Sequence, residues 1–156
     1  MREKDGRMER LVSGSEKITS IFGYWPTFHD AEVIELKLWR GDVNPDNNKY
    51  VFPVLTTRIH VFEMTSEVNS EGCYMIRHHT LATLRFHDIE ELKIEDFNHQ
   101  NAIYGLSLKA EERGEDLPPY VLVEFEPSFG IGASFRCSRA EVVEAVPCDA
   151  NGEPSA

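Results

Sequence analysis

A mostly antiparallel β fold is what this sequence predicts, either a sandwich or a strongly curved sheet of about seven or eight strands with one short N-terminal helix. Three observations carry that expectation. Two long β-branched and aromatic runs, "VLTTRIHVFEMTSEV" and "CYMIRHHTLATLRF", are separated by the turn residues "NSEG", the pattern of a hairpin. Short apolar runs recur through the second half of the chain, divided by Gly, Pro, Asn and Asp. The strand–helix rhythm of a parallel sheet is absent.

Taken in order, "SGSEKITSIFG" reads as the helix. Ser13 and Glu16 have the spacing of a capping box and Gly23 is placed to end it. Ile18, Ile21 and Phe22 supply one apolar face. After Pro26 the period changes to two. In "VIELKLW", Ile34, Leu36 and Leu38 alternate with Glu35 and Lys37, predicting a half-buried strand. "GDVNPDNNK" reads as a polar loop. Beyond the hairpin, "LKI", "AIYGLSLKA", "PYVLVEFE", "ASFRCS" and "VVEAV" are further strands, and "EERGEDLPP" is a charged surface loop. The expected division is a flexible start over 1–12, one globular unit over 13–146 and a flexible tail over 147–156.

A chain of 156 residues supports one domain with a substantial core, burying about 70% of the surface it exposes when unfolded. No apolar run is long enough for a transmembrane helix. The charged start "MREKDGRMER" reads as no secretory leader. Cys73, Cys137 and Cys148 are odd in number, share no CxxC spacing, and read as free thiols in a reducing cytoplasm.

The formal net charge is −11. Residues 86–126 hold eleven carboxylates (Asp88, Glu90, Glu91, Glu95, Asp96, Glu111, Glu112, Glu115, Asp116, Glu124, Glu126) against Lys93, Lys109 and Arg113, so this segment alone carries −8. That field repels nucleic acid and anionic membrane surfaces. It attracts a basic protein and speeds the encounter. The bland counterpart is acidity that serves solubility alone.

No nucleotide-cradling loop occurs, and "FGIGASF" reads as a bulge or tight turn between strands. The His-Asp pairs His29-Asp30 and His87-Asp88 lack the helical ligand spacing of a metal-dependent phosphohydrolase. His60 faces His78 or His79 across the hairpin, with Glu63 as a conceivable third ligand, but register is not readable from sequence. No Ser or Cys lies in a nucleophile elbow, and nothing marks Cys73 as activated. These residues leave open a metal-binding or hydrolytic β domain, or a general protein-interaction module. The structural reading of "FGYWPTFHDAEV" has Trp25 and Pro26 forming a buried turn, Asp30 accepting backbone N–H groups, and His29 stacking on Tyr24 or Phe28. Trp25, Pro26, His29 and Asp30 then join helix to first strand. No cofactor or metal ligand set is expected.

The runs "FGYWPTFHDAEVIELKL", "IHVFEMTSEV", "HTLATLRFHDI", "FNHQNAIYGLSL" and "SFGIGASFRC" together resemble the immunity protein 50 family of bacterial polymorphic toxin systems, over about residues 18–146. The most specific elements are W-P-x-F-H-D-A-E-V at 25–33 and F-N-H-Q-N at 97–101. The resemblance implies a cytoplasmic, non-catalytic protein that neutralises a cognate protein toxin. The acidic side chains from Asp88 to Asp96 and from Glu111 to Asp116 then become the expected contact surface for a basic toxin such as a nuclease. Phe97 and Tyr104 are its candidate aromatic anchors, unless both belong to the core.

Overall fold

The two long apolar runs set the scale of the molecule, and everything else pairs outward from them. The computed structural model describes residues 8–155. In chain order its elements are β1 (Val12–Ser13), α1 (Glu16–Phe22), β2 (Glu32–Trp39), β3 (Asp42–Asn44), β4 (Lys49–Val51), β5 (Val54–Val68), β6 (Tyr74–His87), β7 (Glu90–Glu95), β8 (Ala102–Glu111), β9 (Tyr120–Phe129), β10 (Gly132–Cys137) and β11 (Arg139–Pro147). All eight predicted strands are present, with β5 and β6 as the expected hairpin. The additional strands β1, β3 and β4 are two or three residues long.

Nine strands form one sheet in the order β1-β11-β6-β5-β2-β8-β9-β10-β7. The β1–β11 pairing is parallel and the others are antiparallel. In a flat sheet β6 and β10 would lie about 24 Å apart, five strand spacings away. Yet the Phe86 and Phe135 rings are 5.0 Å apart, and Phe125 touches both. The sheet therefore folds over on itself, with β11-β6-β5-β2 facing β8-β9-β10-β7. The fold line is the β2–β8 seam, whose only ladder pair is Glu32 with Ala102. Leu55, Ile59, Leu84, Ile103 and Val123 fill the space between the leaves. This apolar layer supplies the main driving force, roughly 1.5–3 kcal/mol for each large side chain removed from water.

Several local expectations change. Ser15, not Ser13, stands at the helix N-cap, and it makes no side-chain capping bond; Ser13 is held in β1 opposite Glu141. Gly23 does end the helix, in the left-handed region at φ 84°. In β2 the register shifts between Val33 and Glu35. Val33 enters the core, while Ile34 and Leu38 are exposed, because past Glu32 the strand has lost β8 as a neighbour. The polar loop after β2 is a small hairpin, β3 with β4.

Residues 1–7, part of the expected flexible start, lie outside the described residues. Val12 is buried. Residues 148–155 fold into a closed turn: Cys148 and Pro154 form a bridge, and the Asp149 carboxylate accepts the N–H groups of Asn151 and Glu153 at 2.8 and 3.0 Å.

Candidate functional site

The two most specific sequence runs, 25–33 and 97–101, meet at the fold line. Trp25, Pro26 and Phe28 are buried, with the Trp25 and Phe28 rings 5.5 Å apart. Phe28 and Asp30 both take left-handed backbone conformations, φ 65° and 64°. That double reversal aims the Asp30 N–H at the Ile103 carbonyl (2.9 Å), while Ala31 and Asn101 carbonyls accept from Ile103 and Val33. Asn101 is the buried hub. Its Oδ1 accepts from the Asn98 and Ile131 N–H groups at 2.9 and 3.3 Å, and its Nδ2 donates to the Asn98 carbonyl at 2.6 Å. Its own N–H donates to the Glu32 carboxylate at 3.0 Å. Gly130 closes the turn against this hub at φ +80°; a Cβ there would stand 2.2 Å from the Gln100 carbonyl oxygen. "FGIGASF" is thus the tight turn it resembled.

His29 and Asp30 differ from the expectation. The His29 ring packs edge-on against Tyr104 at 5.1 Å, not on Tyr24 or Phe28, and its Nδ1–H donates to the Tyr104 carbonyl at 3.0 Å. The Asp30 carboxylate is half-exposed, lies 3.5 Å from His29 Nε2, and accepts no backbone N–H among the described residues. The left-handed turn sends its backbone inward and its side chain out. Among the described residues, the buried Trp25 Nε1 finds no hydrogen-bond partner.

The acidic residues separate into two places. Glu90, Glu91 and Glu111 converge on Arg136, at 3.6, 3.9 and 2.7 Å. Asp88 accepts from the Ser138 hydroxyl beside them. Glu112, Glu115 and Asp116 stand exposed on the neighbouring β8–β9 loop, where Arg113 lies 4.2 Å over the Tyr120 ring. Seven carboxylates against Arg113, Arg136 and Lys109, which shares a sheet row with Arg136, leave this end at −4. Glu95, Asp96 and Phe97 lie at the other end of β7, about 17 Å away at ordinary strand rise. Phe97 and Tyr104 are 46% and 60% exposed, so neither belongs to the core. Between the two ends, an open groove of about 720 Å³ runs over the outer face of β7–β10, lined by Lys93, Lys109, Glu124, Ser134 and Arg136 among others.

Arg136, which organises the cluster, escaped the sequence reading. The signal for it was present: alternation in "ASFRC" sends Ala133, Phe135 and Cys137 inward and Arg136 outward.

The histidines are distributed among separate partners. His60 Nε2 and His79 Nδ1 are 2.9 Å apart, under the C-terminal turn, so the expected meeting across the hairpin occurs with His79. Burial first, and then the neighbouring His79, lower the His60 pKa; Asp149 opposes them. The conceivable third ligand, Glu63, instead pairs with Arg77 at 2.6 Å and accepts from the Tyr24 hydroxyl at 3.0 Å. His87 contacts Glu141 at 2.7 Å and the Arg139 guanidinium at 3.0 Å, not Asp88. His78 packs on Phe22. Among the described residues no group of three His, Cys, Asp or Glu side chains is arranged to hold a metal ion. Cys137 and Cys148 are buried and Cys73 is exposed; burial pushes the Cys137 thiol up to about 12.

A family model described as Immunity protein 50 matches residues 14–147, nearly the whole chain. No curated protein matches, and no solved structure matches.

Proposed function

The chain belongs to the immunity protein 50 family, and from that membership we propose that it binds and neutralises a cognate protein toxin in the cytoplasm, by contact and without chemistry of its own. The toxin is a basic one, such as a nuclease. The observation that carries this reading is the cluster around Arg136, where acidic residues from β7, β8 and the β8–β9 loop form one surface with an excess of four negative charges. Asp88, Glu90, Glu91, Glu111, Glu112, Glu115 and Asp116 make that contact surface. Glu95, Asp96 and Phe97 offer a second contact at the opposite end of β7, and Tyr104 is a separate exposed aromatic anchor on β8.

The physics favours a steering role. Exposed carboxylates facing Lys and Arg add little net affinity, because the charges remain solvated. They raise the encounter rate and orient the approach. The paired residues Glu90, Glu91 and Glu111 hold Arg136 in place, while the loop residues project the field. No nucleic acid or membrane surface suits an acidic face of this kind.

The test is co-expression with the toxin encoded beside this chain's gene, followed by purification. Survival of the host and a stable complex support the reading. Death of the host with no complex at micromolar concentrations of both proteins contradicts it.

A further inference from the structure

We propose that the distal part of the β5–β6 hairpin is a docking arm that inserts its apolar face into a slot rimmed by basic residues on the partner. The proposal rests on the toxin-binding reading above and names a contact surface separate from the acidic cluster. The first observation is topological. On β5 the pairing with β2 ends at His60, and on β6 the pairing with β11 ends at Thr80. Among the described residues, the strands pair only with each other from 62 to 78, so the ribbon extends about 20 Å beyond the sheet at ordinary strand rise. A two-stranded ribbon without a packed face is marginal in water.

The second observation is what the ribbon carries. Met64 stands directly opposite Ile76, and Val68 directly opposite Tyr74. A register shift separates the two pairs, with residues 65–67 of β5 opposite Met75 alone; because 74 and 76 lie two apart on β6 and each shares its face with its paired partner, the four side chains still line one apolar face. They are 43–61% exposed. The next pair, Glu63 with Arg77, lies on the opposite face and is ion-paired. A contiguous apolar surface on a protruding element marks an interaction site, whereas isolated exposed apolar residues do not.

Charge selects the occupant. Residues 62–78 hold Glu63, Glu67 and Glu71 against Arg77 alone, and Glu63 is the one that Arg77 neutralises. Glu67 and Glu71 at the distal end favour a partner with Lys or Arg around its apolar slot, and they oppose a second copy of this arm. The root is braced, as an inserting element needs: Tyr24 bonds Glu63 and the Phe22 and His78 rings are 5.8 Å apart.

The arm carries its own reporter, because Cys73 lies at its tip and is the exposed thiol beside two buried ones. With the full chain and the purified toxin encoded beside its gene, maleimide labelling of Cys73 is expected to slow at least about tenfold in the saturated complex. Tyr74→Ser/Ile76→Ser should weaken binding about tenfold or more, mainly through faster dissociation, as loss of apolar anchors does. Its melting temperature and the salt dependence of association should match the parent. A saturated complex in which Cys73 labels at the free rate, or a double variant with parental affinity, overturns the arm while leaving the toxin reading in place. Concentration-dependent dimers that the double variant abolishes would assign the face to a second copy and also overturn it. Absence of any complex sinks both readings together.

Discussion

The fold line and the acidic cluster are both built from polar side chains, and they use them in opposite ways. At the fold line Asn101 is buried, and its side chain bonds to Asn98, Val33 and Ile131. Around Arg136 the Glu90 and Glu91 side chains are more than half exposed and that of Glu111 about a third exposed, and together they outnumber their cationic partner. A buried polar group that loses its partner exposes the full desolvation cost of whatever remains. A solvated carboxylate that is removed leaves almost nothing unsatisfied. The first region therefore specifies the shape of the molecule, and the second shapes the field outside it. The two most specific sequence runs sit at the first region, so sequence specificity here marks the bend that brings the leaves together.

The largest expected effect is at the hub. Asn101→Ala leaves the Ile131 N–H without its acceptor in the core and should cost about 3 kcal/mol. In a chain of this size that is a fall of roughly 6–12 °C in melting temperature. A variant that melts within 2 °C of the parent would break the contrast, because the hub would then behave like a surface residue.

A smaller effect is expected under the C-terminal turn. His60 has a folded-state pKa below its ordinary 6.5, through burial and then the proximity of His79, against Asp149. The folded state thus favours the neutral ring. Its contribution to stability is full above pH 6.5 and is lost as pH falls through the folded-state value. Denaturant midpoints measured from pH 7.5 to 5 should decline more steeply for the parent than for His60→Gln. Parallel curves would remove His60 from the account.

The smallest effect is at Asp30. Its carboxylate accepts no backbone donor among the described residues, and Asn tolerates the same left-handed backbone. Asp30→Asn should therefore change stability by less than about 0.5 kcal/mol, in line with exposed substitutions. Unchanged melting combined with lost protection from the toxin would sharpen the comparison by moving His29 and Asp30, which pack beside Tyr104, into the contact surface.

These outcomes trace what was legible in the sequence. The strands were readable because alternation is local: in β9, Val121, Val123 and Phe125 point inward and Glu124 outward without help from any neighbour. The fold line was not readable, since it depends on β2 and β8 sharing almost no ladder, and no local pattern encodes which strands meet. For the same reason the inward face of β2 was misassigned at Ile34 and Leu38, where the register shift cancels the alternation. The acidic composition was plain, but one stretch of sequence became two surfaces because β7 carries Glu90 and Glu95 to opposite ends. The pairing of Glu90, Glu91 and Glu111 with Arg136 joins residues far apart in the chain. Those three carboxylates thus belong partly to structure, whereas Glu112, Glu115 and Asp116 do not.

That last distinction supplies the most direct measurement. Stopped-flow association of the cognate toxin should be compared for the parent and for Glu112→Lys/Glu115→Lys/Asp116→Lys, from about 20 mM to 500 mM salt, across which the screening length shrinks from roughly 20 Å to below 5 Å. Association of the triple variant is expected to slow about tenfold or more at low salt and to converge with the parent at high salt, with melting temperature and dissociation rate nearly unchanged. Association that ignores both the reversals and the salt would contradict the steering role, and would leave the acidic surface with no part in recognition.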